Sequence, residues 1–152
     1  MRGVELLKLE ARGCFNFFWE QTNINEKSPG YGLIIDSTDR PRVASIASVG
    51  FGLSAIPIGV ERGWISFGQG FERVLGTLKS LLNNVENYRG FYAHFVDMDT
   101  GKRVNNCEYS TIDTAILING AITGGEYFGG TIKDLAHRLY ENVDWNFIVD
   151  RK

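Results

Sequence analysis

A chain of 152 residues that is 43% hydrophobic and 22% charged has the balance of one soluble globular domain, long enough to bury a real core. Its net charge of −2 and pI near 5.7, with 16 basic residues scattered along it, argue against a nucleic-acid-binding surface. No segment reads as membrane-inserting: Ala44–Val60 is broken by serines, glycines and Pro57, and Met1–Glu10 carries charge where a signal peptide would be apolar.

The first predicted helix covers Val4–Gln21, with Leu6, Leu7, Ala11, Cys14, Phe15, Phe18 and Trp19 at helical spacing. A loop over Thr22–Arg42 follows. The second helix, Ser45–Glu61, is expected to break near Pro57 and to stop at Gly63. Ser66 opens the third, with Gln69 as its capping-box partner and Phe71, Val74, Leu75, Leu78, Leu81 and Leu82 as its stripe. Gly90–Val96 reads as a short strand, and Asp99–Lys102 has turn chemistry, so a small β-hairpin is expected before the fourth helix. That helix, Thr111–Tyr127, is apolar nearly all round. Thr131 is expected to cap the fifth, whose stripe is Ile132, Leu135, Ala136, Leu139, Tyr140 and Val143.

The third and fifth helices are amphipathic, whereas the second and fourth have no continuous polar face. Small residues in the latter pair (Ser48, Gly50, Gly52 and Ala55; Ala115, Gly120, Ala121 and Gly124) permit close packing. An inner and an outer layer of alternating helices produces this pattern. The expected fold is all-α, an α/α-barrel, although a bundle with one buried helix fits the pattern too.

Two carboxylates flank the start of the fourth helix, Glu108 just outside and Asp113 inside. A buried carboxylate costs several kcal/mol, about, unless it is paired or hydrogen-bonded, so Asp113 needs partners. Each residue has a structural and a chemical reading. Asp113 either favours the helix amino terminus or faces a polar cavity and binds sugar hydroxyls. Glu108 is either a solvated loop acid or a general acid or hydrogen-bond acceptor. His94, among Phe91, Tyr92 and Phe95, reads more readily as a packed residue than as a catalyst. His137 reads as a solvated surface residue. Asp97, Asp99 and Glu108 faintly mimic a calcium loop, but Lys102 stands where its glycine belongs. Cys14 and Cys107 have no metal-ligand spacing and read as interior residues with free thiols. No zinc spacing, phosphate loop or dinucleotide fingerprint is present, so neither cofactor nor metal is expected. Trp19, Tyr31, Phe51, Trp64, Phe91, Tyr92 and Tyr109 could stack on sugar rings, with the core as their commoner destination.

Five stretches, FNFFWE at Phe15–Glu20, SIASVGFGLSAIPIGVERGW at Ser45–Trp64, FYAHFVDMDTGKR at Phe91–Arg103, EYSTIDT at Glu108–Thr114 and VDWN at Val143–Asn146, together resemble the bacterial glycoamylase-like domain. The resemblance runs in order over essentially the whole chain. It implies part of an (α/α)6 barrel, the amino-terminal portion, with residues 1–152 supplying somewhat less than half of the helices. The family includes endo-β-1,2-glucanases, a domain of cyclic β-1,2-glucan synthases and relatives named only as glucoamylases. The resemblance therefore implies hydrolysis or transglycosylation of β-glucan by the parent, with this portion inactive alone and the parent in the periplasm or cell envelope. It places Glu108 and Asp113 at the catalytic cleft and His94, Asp97, Asp99, Tyr92 and Trp64 against substrate. The rival expectation is a non-catalytic glucan-binding or assembly module that closes its barrel by self-association. One departure is Phe67–Gly70, where relatives carry charged helix formers. Gly68 and Gly70 would each cost about 1 kcal/mol there.

Overall fold

The segments with helical apolar spacing do fold as helices, and the pattern of small residues decides how they layer. The computed structural model describes residues 3–149. In chain order it contains α1 (Gly3–Glu20), β1 (Val43–Ser45), α2 (Ile46–Glu61), α3 (Phe67–Asn83), β2 (Asn87–Tyr88), β3 (Phe91–Tyr92), β4 (Phe95–Asp97), α4 (Thr111–Phe128) and α5 (Gly130–Glu141), then a short 3-10 helix at Trp145–Ile148. Among the described residues no helix is long and apolar enough to cross a membrane.

Helices α2 and α4 are the inner layer. They run parallel, backbone against backbone, through two glycines. A Cβ on Gly50 would fall 2.6 Å from the Ile116 carbonyl oxygen, and one on Gly120 would fall 2.0 Å from the Gly50 oxygen. Farther along, Gly124 comes alongside Leu53. The other three helices run antiparallel to this pair, outside it. On α1, Phe15 sits on Gly59 and Phe18 beside Gly52; on α3, Gly70 meets Phe128, Val60 and Ile56; on α5, Ala136 meets Gly125. Val49, Leu53, Val74, Leu78, Leu117, Ile118, Ile132 and Leu139 fill the space between layers. Five helices and two layers make this an incomplete α/α-barrel.

Several local expectations are corrected. Pro57 lies inside a continuous α2, which loses only one backbone hydrogen bond there. Thr131 does not cap α5; the cap is Gly129, which with Gly130 has positive φ and reverses the chain between α4 and α5 without a side-chain bond. The 22–42 segment is no surface loop throughout, since Leu33, Ile34 and Ile35 are core residues held by single bridges to Thr22 and Ala44. The predicted strand divides at His94. Its first half closes a hairpin with β2 across Arg89 and Gly90, both at positive φ, and its second half pairs with β1 in the register Ser45↔Phe95. A pairing between residues fifty apart leaves no local signal.

Only Phe15 of α1 is buried, because α1 touches α2 through its last turns alone. Val4, Leu6, Leu7 and Leu9 are exposed, and so is Cys14, against the interior reading of that thiol. Cys107 is half-buried, accepting from the Phe95 amide.

Ser66 and Gln69 form the predicted capping box of α3. Of the two unusual glycines that follow, Gly70 has a packing reason, with Phe128, Val60 and Ile56 atoms 3.0–3.1 Å from a Cβ built on it. Gly68 has none: nothing lies within 4 Å of its Cβ position, and its φ is not positive. Gly68→Ala should therefore stabilise the chain by up to about 1 kcal/mol, read as a raised melting temperature.

Candidate functional site

The parallel inner helices bring their amino-terminal ends to one side of the molecule, where the two carboxylates and a histidine meet. Ser45 caps α2 and Ser110 caps α4, each accepting from the backbone amide three residues on. Between the two ends crosses the short segment around His94. The His94 carbonyl accepts from the Ile46 amide at 3.2 Å, and its own amide donates to the Glu108 carbonyl at 2.9 Å. The backbone of His94 is thus fastened to the start of α2 on one side and to Glu108 on the other.

The imidazole continues this pattern with its ring nitrogens. Nδ1 lies 2.9 Å from Glu108 Oε1, and Nε2 lies 3.9 Å from Asp113 Oδ2. The ring stacks on Phe95 at a centroid distance of 3.8 Å. The three side chains differ in exposure: Glu108 is 64% exposed, His94 32% and Asp113 12%. Glu108 therefore faces solvent, Asp113 lies at the floor, and the imidazole stands between.

Asp113 is the third residue of α4, where a carboxylate can turn back to bond the cap residue's amide. Here that amide is already taken, because Ser110 N–H donates to the Tyr92 carbonyl at 2.9 Å. The Asp113 backbone N–H donates to Ser110 Oγ, while its carboxylate faces His94. The helix dipole still favours a negative charge at this position.

A brace holds the loop that carries Glu108. Tyr109 donates its hydroxyl to Glu86 at 2.8 Å, and the Arg103 guanidinium lies 4.8 Å from the Tyr109 ring centroid. The Arg103 amide and the Tyr109 hydroxyl hold the Glu86 carboxyl below the usual range. Glu108 is also held below it, by its own backbone N–H and then by the His94 ring, so it is poised as an ionised acceptor. Glu86 did not stand out in the sequence, since its partners Arg103 and Tyr109 lie 17 and 23 residues away.

The other expected site residues do not join this group. Tyr92 is a core residue, 3% exposed, with its hydroxyl donated to the Leu81 carbonyl; burial pushes its pKa well above the usual value. Phe91 is equally buried. Trp64 follows the carboxyl end of α2, where it packs on Phe15 and Arg12, a helix length of roughly 24 Å from the His94 end. Asp97 is occupied by its own turn. Desolvation pushes its carboxyl up, but bonds from Thr100 and Asp99, with Arg42 at 3.6 Å, hold it lower overall. Asp99 pairs with Arg42 at 3.2 Å, on the surface. Tyr31 lines a separate cavity of 540 Å³ with Glu72, Gly76 and Lys79 of α3. Among the described residues no group of three His, Cys, Asp or Glu is arranged to hold a metal ion.

A surface carboxylate, an imidazole and a buried carboxylate at the mouth of paired helix amino termini can accept hydrogen bonds from hydroxyls and move a proton by general acid–base chemistry. No family model matches the chain. An exo β-1,2-glucooligosaccharide sophorohydrolase (non-reducing end) of Parabacteroides distasonis is 28% identical over 159 residues, taking in 97% of this chain and 21% of that protein. The crystal structure of a β-1,2-glucanase from the same species matches 97% of this chain and 22% of that one, at a TM-score of 0.83 and 28% identity. An endo-β-1,2-glucanase from Chitinophaga pinensis, solved with sophorotriose and glucose, matches 93% of this chain and 36% of that one, at a TM-score of 0.75. At 24% identity that last likeness shows the fold alone. The homologue and neighbours are glucoamylase-like and β-1,2-glucanase proteins, and the chain spans about a fifth of the curated relative's length.

Proposed function

We propose that the chain contributes the Glu108 and Asp113 side of a β-glucan cleft, in a protein that cleaves or transfers β-1,2-glucosidic bonds. The observation that carries this reading is the cluster itself: Glu108 and Asp113 lie on either side of one imidazole, at the amino-terminal ends of the two inner helices. The similarity to β-1,2-glucan hydrolases over 97% of the chain supports β-glucan as the substrate class. Glycosidic chemistry ordinarily uses two carboxylates, one protonating the leaving oxygen and one acting as base or nucleophile. Glu108, held ionised by its hydrogen bonds, fits the accepting role in this arrangement. Asp113, at the floor, fits a hydroxyl-binding carboxylate.

Asp113→Asn separates the two readings of that residue. An acid that only favours the helix terminus would lose about 0.3–1 kcal/mol of stability on this change and leave sugar binding intact. A carboxylate accepting from substrate would instead weaken glucan affinity by about 1.5–3 kcal/mol. Stability would then hold level or rise, because a partly desolvated charge is gone. Thermal melting and glucan affinity measured on the same variant decide, and a lower melting point with unaltered affinity would remove Asp113 from the cleft.

The second reading, an assembly module, has one observation in its favour. Val4, Leu6, Leu7 and Leu9 on α1, Phe51 and Ile58 on α2 and Ile112 on α4 are large apolar residues left exposed. Large apolar side chains left in water favour association where they adjoin. The 152-residue chain on its own should therefore form oligomers, and a sharp monomer in light scattering would count against a face that needs covering.

A further inference from the structure

We propose that His94 is the positioning residue of the site: through Nδ1–H it holds the Glu108 carboxylate in place across the ring from Asp113. The proposal deepens the β-glucan reading and rests on it for substrate, though its first test does not.

Glu108 is the most exposed member of the cluster, on a loop with Asn105 and Asn106 at positive φ. A glutamate so exposed ordinarily samples several rotamers. Here one oxygen meets Nδ1 at 2.9 Å. The ring that makes this contact is unusually constrained. It stacks on Phe95, whose ring also carries the Arg40 guanidinium 5.2 Å from its centroid. Its backbone is fastened on both sides, to Ile46 and to Glu108 itself. The titratable groups that face the imidazole are Glu108 on the loop and Asp113 on α4, one at each nitrogen.

The proton count follows from the chemistry of the ring. A neutral imidazole donates from one nitrogen only. The 2.9 Å contact takes the Nδ1 proton, so a neutral ring turns a bare Nε2 toward Asp113. The 3.9 Å gap is too long for a direct bond, but one hydroxyl beside it can donate to Asp113 and to Nε2 in turn. His94 thus orders Glu108 directly and leaves its other nitrogen, with Asp113, to a substrate hydroxyl.

Two amide substitutions separate the nitrogens. His94→Asn keeps a donor near the Nδ1 position, whereas His94→Gln carries its amide to the Nε2 position. The carboxyl of Glu108 is followed by NMR in protein labelled at glutamate Cδ, with Glu108→Gln giving the assignment. In the unsubstituted protein Glu108 should titrate below the ordinary value of 4.5. His94→Ala and His94→Gln should move it upward, and His94→Asn should leave it low. On β-1,2-gluco-oligosaccharide, kcat of the protein that contains this chain should fall about 10²-fold in His94→Ala and His94→Gln, the scale for a reacting group displaced by about an ångström. His94→Asn should recover most of kcat, with its loss confined to KM.

An unmoved Glu108 titration in His94→Ala overturns the proposal, and so does a His94→Asn variant that behaves like His94→Ala in both measurements. If the titrations shift as expected while the unsubstituted protein that contains this chain leaves β-glucan untouched, the positioning contact stands and the β-glucan reading falls.

Discussion

Gly120→Ala should destabilise the chain by about 3 kcal/mol, the upper end for overpacking a core with one methyl group. The added Cβ would lie 2.0 Å from the Gly50 carbonyl oxygen and 2.8 Å from its carbon. Both are backbone atoms in a helix, so no side chain can turn aside to make room. Either α2 and α4 must part along their length or the helix must deform. In a chain of this size the loss corresponds to a fall in melting temperature on the order of 10 °C. The contrast with Gly68→Ala is the informative part. The same atom is added to a helix in both cases, and the expected sign reverses because Gly68 faces open space. A Gly120→Ala variant that melts with the unsubstituted chain would mean that the inner helices are not in backbone contact.

Glu108→Gln should lower glucan turnover by about 10²–10⁴-fold in the protein that contains this chain, the usual worth of a general acid or base. Folding should be little affected, since the carboxyl is 64% exposed and its bond from His94 lies at the surface. Glutamine keeps the shape and an acceptor oxygen but cannot take or return a proton. A turnover within a few-fold of the unsubstituted enzyme would return Glu108 to the status of a loop acid.

The layering of the fold was legible because it rests on periodic patterns. Stripes on the third and fifth helices and small residues in the second and fourth state which faces touch and how closely. Individual caps were less so. Ser66 with Gln69 is a local motif and was found, while Gly129 acts through backbone conformation and displaced the more obvious Thr131. The strand pairing of Ser45 with Phe95 joins distant residues and left no trace.

At the site, Glu108 and Asp113 stood out as carboxylates beside an apolar helix. Their joining through His94 depends on where the chain crosses the helix ends, which periodicity does not record. Tyr92 and Trp64 lie outside the cluster for different reasons, Tyr92 because it is a core residue and Trp64, half-buried, because it sits at the opposite end of α2. An aromatic side chain serves a core as well as a sugar, and only its place in the fold separates the two. Asp97 and Asp99 show the corresponding ambiguity of acids in turns, where backbone amides and a nearby arginine satisfy them.

The most direct test of the account is the affinity of the protein containing this chain for trisaccharides of glucose differing only in linkage, β-1,2, β-1,3 and α-1,4, each measured with and without Asp113→Asn. The account predicts that the β-1,2 compound binds tightest and that Asp113→Asn weakens it by about 1.5–3 kcal/mol. Preference for the α-1,4 compound, or β-1,2 binding that ignores the substitution, would contradict it.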